Sequence, residues 1–426
     1  MRRLLPALTA AGCALGCAGG ELPPNLLLVS VDTLRADRLV CYGGAAGPGL
    51  CGLFDAGTRY RWAFSSASVT APAIASLLTS RYPADHGVAQ VMRSRLPDAA
   101  VTVAERLRAS GYATAAFVSN PVLDRARNFG QGFEVYDDQM TRRERNRPRL
   151  RERDAAATSD AALGWARFAA REPWFLWVHY QDPHGPYEPP GAAPGRDPPG
   201  APRLPVLGDP SGRSGIPDYQ ALPGLFTAPA YEARYLAEVR FLDRHFVRLV
   251  RALDALGRPP TVLLTADHGE AFGEDDYWFA HGHSLGLDQI RVPLLLRDPR
   301  ATEPRVVEAP VSLVDVAPTL LALAGVESPD AFQGRVLPGV ATGRSGAAAE
   351  QRTLFADHPH RSAVIRGRRY HARDRAPATR GGPPRDGDPP PLPAREARLG
   401  PHDALPRYRS PSRDESAPMA APIPFR

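Results

Sequence analysis

Lysine is absent from the chain: all 52 basic residues among its 426 are arginine. That excludes a lysine general base, a lysine Schiff base and a lysine anion ligand. Cysteine is scarce, with four residues. Beyond the first residues nothing is long and apolar enough for a transmembrane helix, and no internal repeat occurs. What is present is 43% hydrophobic residues, 46 prolines and 38 glycines. The first supplies a sizeable core, and the others imply long loops or a structureless tail. The length suits one large α/β domain with a smaller appendage. The formal charge of +6 is spread along the chain and densest near the C-terminus, a weak signal for a membrane surface and none we read as a nucleic-acid partner.

Met1-Arg2-Arg3 is a short basic start, followed by apolar Leu4 to Gly16 and then Cys17. The pattern is that of a bacterial lipoprotein signal over residues 1–20, with lipid on Cys17 and Cys13 as second choice, or else of an ordinary cleaved signal. Either implies an exported protein, periplasmic or at the outer membrane, with membrane contact only through a lipid anchor. Cys41 and Cys51 remain, to pair in an oxidising compartment or stay as free thiols.

Three continuous apolar runs each end in a carboxylate. Asn25 to Val31 precedes Asp32, Pro173 to Tyr180 precedes Gln181-Asp182-Pro183-His184, and Thr261 to Thr265 precedes Ala266-Asp267-His268-Gly269-Glu270. Such runs suit parallel strands buried on both faces. Ala113 to Val118 and Val292 to Leu296 add two more. Helical periodicity falls between them, at Val101 to Ser110, Asp154 to Arg171 and Ala230 to Leu256, and again at Val316 to Leu323. The alternation predicts an α/β fold with a mostly parallel central sheet flanked by helices on both faces. Ligands in such sheets bind beyond the carboxyl ends of the strands. A lone aspartate there is ordinarily a cap or turn residue. Three at once, two with a nearby histidine, point to a site. Gly191 to Gly224, rich in Pro and Gly, reads as a surface excursion bordering the cleft.

Thr70-Ala71-Pro72 opens an apolar stretch ending in Thr79-Ser80-Arg81-Tyr82-Pro83. Pro72 suits the first helical position, which puts Thr70 at a helix N-terminus, where anions are favoured. Here the chain resembles the sulfatase family of the alkaline-phosphatase superfamily, whose nucleophile segment reads Cys or Ser, any residue, Pro, Ser, Arg. The resemblance extends over about residues 24 to 370. It takes in Pro24 to Asp37, His179 to Pro190, Thr265 to Glu270, His281-Gly282-His283-Ser284, Arg291-Val292-Pro293-Leu294 and Ser312 to Leu320. It implies an alkaline-phosphatase-like fold with a catalytic domain over 21–345 and a small C-terminal subdomain remnant over 346–375. The Pro/Arg-rich 376–426 reads as a disordered tail, native or produced by a shifted reading frame.

The departures carry weight. Threonine cannot be oxidised to the formylglycine aldehyde, because its β-carbon bears a methyl group. Ala73 and Ile74 stand where the motif has Ser and Arg, Thr33 stands where the first metal strand has a second aspartate, and the family's active-site lysines have no counterpart. These features imply relatives with a threonine nucleophile acting on phosphate or phosphonate esters.

The resemblance implies that Asp32, Asp267, His268 and the Thr70 oxygen bind a divalent metal, Zn²⁺ or Mn²⁺ being favoured by the imidazole and Ca²⁺ or Mg²⁺ remaining open. Thr70 is the expected nucleophile, forming a covalent ester that water or an alcohol resolves. His184 and His283 are expected in catalysis or at a second metal. His281, Asn120 and Asp182 are expected on the substrate, and His179 in the sheet. Three functions are carried forward: a metal-dependent hydrolase or transferase of phosphate-type esters, a sulfatase, and an inert surface-tethered binding protein on the same fold.

Overall fold

The computed structural model describes residues 22–89, 94–340, 352–358, 361–374 and 395–399. The expected signal segment, with Cys13 and Cys17, and most of the proline-rich tail lie outside them. Eight strands form the main sheet: β1 (Leu26–Val31), β2 (Thr58–Tyr60), β3 (Ala113–Val118), β4 (Val135–Asp137), β5 (Trp174–Tyr180), β6 (Thr261–Ala266), β7 (Leu294–Arg297) and β8 (Arg305–Val307). Their order is β8-β2-β7-β6-β1-β5-β3-β4. Every pairing is parallel except the two made by β7. The apolar runs are these strands: every residue of β1, β3, β5 and β6 is buried.

The longer helices are α1 (Thr70–Thr79), α2 (Val103–Ala109), α3 (Ala155–Phe168), α4 (Ala228–Asp254) and α5 (Val316–Leu323). α3 packs on α4 and on β3 and β5, while α1, α2 and α5 pack together and α2 meets β3. The mostly parallel sheet is thus flanked by helices. Helix starts follow local chemistry. Thr102 and Glu105 form a capping box at α2, and Asp154 caps α3 by accepting from Ala157 N–H. A separate antiparallel sheet joins β9 (Thr353–His358), β10 (Arg361–Arg366), β11 (Arg369–Asp374) and β12 (Arg395–Arg398). β12 comes from within the stretch read as a structureless tail. Its strand pairing supplies the order that composition alone does not.

One expectation about α1 changes. The helix begins at Thr70, so Pro72 is its third residue rather than its first. First-turn N–H groups have no intrahelical partner, so proline is tolerated there too. Cys41 and Cys51 are joined as a disulfide. No helix of the described residues is long and apolar enough to cross a membrane.

His86 has a structural role. It is buried, its Nδ1 accepts from Val88 N–H (3.0 Å), and its Nε2 meets Ser76 Oγ of α1 (3.0 Å). Since Nδ1 must accept, Nε2 carries the proton and the ring is neutral. Burial pushes its pKa down to about 4. The unfolded chain, with His86 near the ordinary value of about 6.5, binds the proton first, so stability falls as pH drops from 6.5 towards 4. Between pH 7 and 5 the wild type is expected to lose about 2 kcal/mol more than His86→Asn, measured by urea unfolding at each pH. Parallel curves for the two proteins would refute this assignment.

Candidate active site

Four adjacent strands, β6, β1, β5 and β3, run parallel and end together, and each delivers side chains to the same edge. β6 gives Asp267 and His268, β1 gives Asp32 and Thr33, β5 gives Gln181 and leads to His184, and β3 leads to Asn120. Opposite them stands the first residue of α1, Thr70.

Asp32, Asp267 and His268 are completely buried, and their ligand atoms lie within 4.8 Å of one another. His268 Nε2 is 3.7 Å from Asp32 Oδ1, 3.5 Å from Asp267 Oδ2 and 3.3 Å from Thr70 Oγ1. His268 Nδ1 lies 2.9 Å from the Gly269 carbonyl, which can only accept. Nδ1 therefore holds the proton and Nε2 offers its lone pair to the centre. Asp32 Oδ1 and Asp267 Oδ2 are buried with no hydrogen-bond donor. The remaining carboxylate oxygens are held in place: Asp267 Oδ1 accepts from the N–H groups of His268 (2.7 Å) and Thr33 (3.3 Å), and Asp32 Oδ2 accepts from Asn120 Nδ2. Two orphaned carboxylate oxygens and an imidazole lone pair aimed at one point fit a divalent cation. Among the described residues this is the one such group, so the histidines expected at a second metal do not assemble with Asp182 into another.

Backbone geometry supports the cluster. Thr33 has φ of +55°, a region β-branched residues rarely occupy. This turn points its N–H at Asp267 and leaves its hydroxyl buried without a partner. At Gly269 a Cβ would come within 2.1 Å of the Asp288 carbonyl oxygen, so only glycine lets the strand end pack so closely.

A cleft opens from Thr70 and is lined also by His281, His184, Gln181 and Asn120. His281 and His268 rings are 4.4 Å apart, and His281 and His184 rings 5.3 Å apart. Burial opposes charge on His281, but the buried Glu270 carboxylate, 3.0 Å from its Nδ1, raises the His281 pKa overall. Glu270 also accepts from Tyr187 Oη at 3.1 Å. His184 is the reverse case: burial pushes it down to about 4, and its Nδ1 is 2.7 Å from the Gly185 carbonyl, leaving Nε2 as an acceptor. Burial, reinforced by Asp32, raises Asp267.

The expected residues divide. Asp32, Thr70, Asp267, His268, His184 and His281 meet around one centre. Asn120 lines the cleft, but its amide is engaged by Asp32 and by Val122 N–H. His283 does not reach the cleft lining. Its ring stacks on Tyr277 with centroids 3.6 Å apart, its Nε2 meets the Gln289 amide at 3.1 Å, and burial lowers its pKa to about 3. Asp182 is turned away as well, buried beside Glu238 of α4, where burial raises its pKa to about 6. The neighbouring Gln181 lines the cleft instead. His179 lies in the sheet as expected, yet its Nε2 comes within 3.8 Å of Asp32 Oδ2. The outer wall is formed by Glu144, Arg147, Leu150, Arg151 and Glu152, not by the 191–224 excursion, whose Tyr219 ring backs His184 at 6.1 Å. Sequence reading gave no role to that wall or to Glu270. Glu270 had a usable signal, three residues after Asp267 in the same motif.

An α/β sheet whose parallel strand ends gather a group able to hold a cation beside a helix-terminal hydroxyl is suited to an ester hydrolase. The chain belongs to the sulfatase family, whose sequence model matches residues 24–326. It is 28% identical over 358 residues to an uncharacterized sulfatase of Escherichia coli (strain K12), covering 73% of this chain and 70% of that protein. It is 26% identical over 347 residues to the ulvan-active sulfatase of Formosa agariphila, covering 74% of this chain and 64% of the relative; the chain thus spans under two thirds of that protein's length. In structure it is similar to the phosphonate monoester hydrolase from Silicibacter pomeroyi, with a TM-score of 0.65 at 21% identity, covering 88% of this chain and 89% of that one. That likeness shows the fold.

Proposed function

We propose that the protein is a metal-dependent hydrolase of phosphate- or phosphonate-type esters, with Thr70 as nucleophile. The observation that carries this reading is the Thr70 hydroxyl at the head of α1, 3.3 Å from His268 Nε2 and beside two unpartnered buried carboxylate oxygens. A divalent cation held by Asp32, Asp267, His268 and the Thr70 oxygen would lower the pKa of that hydroxyl and polarise the ester, with Zn²⁺ or Mn²⁺ suited to a set containing imidazole. Thr70 Oγ1 attacks the phosphorus, and the bond to the alcohol oxygen breaks. His281, raised by Glu270, donates a proton to the departing alkoxide. Water then attacks the phosphorus of the phospho-threonine while His184, kept neutral by burial, accepts its proton; the bond to Thr70 Oγ1 breaks, freeing the threonine oxygen, and the proton taken up by His184 returns through solvent to His281. Neighbouring groups whose pKa values are pushed apart make a natural acid and base pair.

Sulfate-ester hydrolysis is the second reading, favoured by the curated relatives being sulfatases. Initial rates on aryl phosphate monoester, phosphodiester, phosphonate ester and sulfate, after chelation and re-addition of Zn²⁺, Mn²⁺, Mg²⁺ or Ca²⁺, separate the two. Highest kcat/KM on a phosphorus ester is the expected result. A preference for the sulfate would transfer the conclusion to the second reading, and no turnover of any ester by folded, metal-loaded protein would overturn both.

We also propose export, with a lipid on Cys17. The Cys41–Cys51 disulfide is consistent with an oxidising compartment. Metabolic labelling with a fatty acid, lost in Cys17→Ser, is the expected result.

A further inference from the structure

The outer wall of the cleft is a short hairpin, Arg142–Arg143 paired with Arg151–Glu152. It is fastened from its tip: Asn146 Nδ2 donates to the Tyr219 and Ala221 carbonyls at 2.8 and 2.9 Å, and Arg145 pairs with Glu188. Two arginines of this hairpin line the cleft, Arg147 and Arg151.

Arg147 is pre-oriented. Its Nε and Nη2 donate to the two oxygens of buried Glu144 at 2.6 and 2.9 Å, and its guanidinium lies over the Tyr219 ring, 4.3 Å from the centroid. A guanidinium has five N–H donors, and Glu144 occupies two. Nη1 makes no hydrogen bond to any described residue, and the side chain remains about one third exposed, at 36%. Arg151 is exposed and has no carboxylate partner among the described residues. The rest of the cleft's polar wall is neutral or acidic apart from His281. A chain of contacts leads from Thr70 to Arg147 through the rings of His268, His281, His184 and Tyr219, with neighbouring centroids 4.4 to 6.1 Å apart. The guanidinium is the last member of that chain, its own contacts being to Glu144 and Tyr219 rather than to the Thr70 hydroxyl. It is suited to the part of the substrate that leaves rather than to the reacting centre.

We infer that Arg147, assisted by Arg151, binds an anionic substituent on the alcohol portion of the ester, so that the preferred substrate carries a second oxyanion remote from the bond that is cleaved. This rests on the cleft being the ester site. A fork already fixed by Glu144 and Tyr219 loses little freedom on meeting a carboxylate or sulfo group, and charge-assisted bonds from arginine are the strong ones.

The test uses ligands that cannot react. Phenylphosphonate and 4-carboxyphenylphosphonate are titrated calorimetrically into the full chain loaded with Mn²⁺, as wild type, Arg147→Gln, Arg147→Lys and Arg151→Gln. The expected result is about tenfold tighter binding of the carboxylated ligand by wild type, from one charge-assisted contact. The advantage is expected to fall below about threefold in Arg147→Gln, to be partly kept in Arg147→Lys and partly lost in Arg151→Gln, with phenylphosphonate affinity unchanged. A 4-sulfophenylphosphonate arm tells which oxyanion is preferred. Should Arg147→Gln misfold because Glu144 is left buried and unpaired, the double variant Glu144→Gln/Arg147→Gln decides. Equal affinities in wild type, equal weakening of both ligands by Arg147→Gln, or no binding of the carboxylated ligand overturns the inference. A protein that hydrolyses no ester yet keeps the carboxylate preference refutes the proposed reaction and with it the substrate assignment, and leaves Arg147 as the anion contact of a binding cleft.

Discussion

Thr70→Ala is expected to lower kcat on the preferred ester by about 10⁴-fold, with KM little changed, because it removes the proposed nucleophile. Thr70 is buried, and its hydroxyl is not used as a cap: Val69 occupies the cap position, and Thr70 Oγ1 is directed to His268. The loss is therefore chemical rather than structural, and the thermal midpoint of the variant is expected to stay within a few degrees of wild type. Thr70→Ser keeps the hydroxyl and should retain activity within about tenfold. Intact mass of the peptide spanning Thr70 should show unmodified threonine, since a methyl-bearing β-carbon cannot become an aldehyde. Substantial activity in Thr70→Ala, measured on protein freed of host phosphatases, would remove Thr70 as nucleophile.

Removing the divalent ion is expected to abolish turnover, and it should reverse the order of stability of wild type and one variant. In the metal-free protein Asp32 and Asp267 face each other in a fully buried site, each with an unpartnered oxygen. Burial and Asp32 raise the Asp267 pKa, a sign that a second negative charge there is unfavourable. Asp267→Asn relieves that repulsion, so the apo variant should unfold at the same temperature as apo wild type or higher. Metal changes the order. An ion at a thousandfold excess over its Kd stabilises by about 4 kcal/mol, which raises the wild-type midpoint by several degrees. Asp267→Asn loses a ligand and should gain almost nothing. Calorimetric scans of both proteins, chelated and with added Mn²⁺ or Zn²⁺, read out the crossover. An equal metal-induced rise in both would place the ion elsewhere.

The strand ends were legible in the sequence because parallel strands buried on both faces are written as unbroken apolar runs. The carboxylates and histidines that follow each run are then candidates for the sheet's ligand edge. That reading marks Asp32, Asp267 and His268 together with Asp182 and His184, and the family resemblance picks out the first three as ligands and adds Thr70. What eluded the sequence were choices between near neighbours in irregular backbone. His281 and His283 are two residues apart, and only the positions of Glu270 and Tyr277 decide that the first enters the cleft and the second stacks behind it. Gln181 and Asp182 are adjacent, and the chain turns the amide inward and the carboxyl towards α4. The 142–152 hairpin was missed for another reason. Arginines and glutamates mixed in a loop read as a solvated surface. Glu144 and Arg147 pair within the hairpin, and its docking as a cleft wall depends on Tyr219, far along the chain.

The strand order also governs when the site can exist. β1 sits between β5 and β6, so its neighbour on one side begins at Trp174 and on the other at Thr261. A chain growing from its N-terminus holds the first ligand strand without a neighbour until β5 is made and open on its other side until β6 is made, and Asp32 meets Asp267 and His268 only then. Pairings of such long sequence separation are slow to form and leave apolar strands open to misassociation. The catalytic centre is therefore a late product of folding, and refolding should show binding of the ion arriving with the last cooperative phase rather than with an early collapsed state.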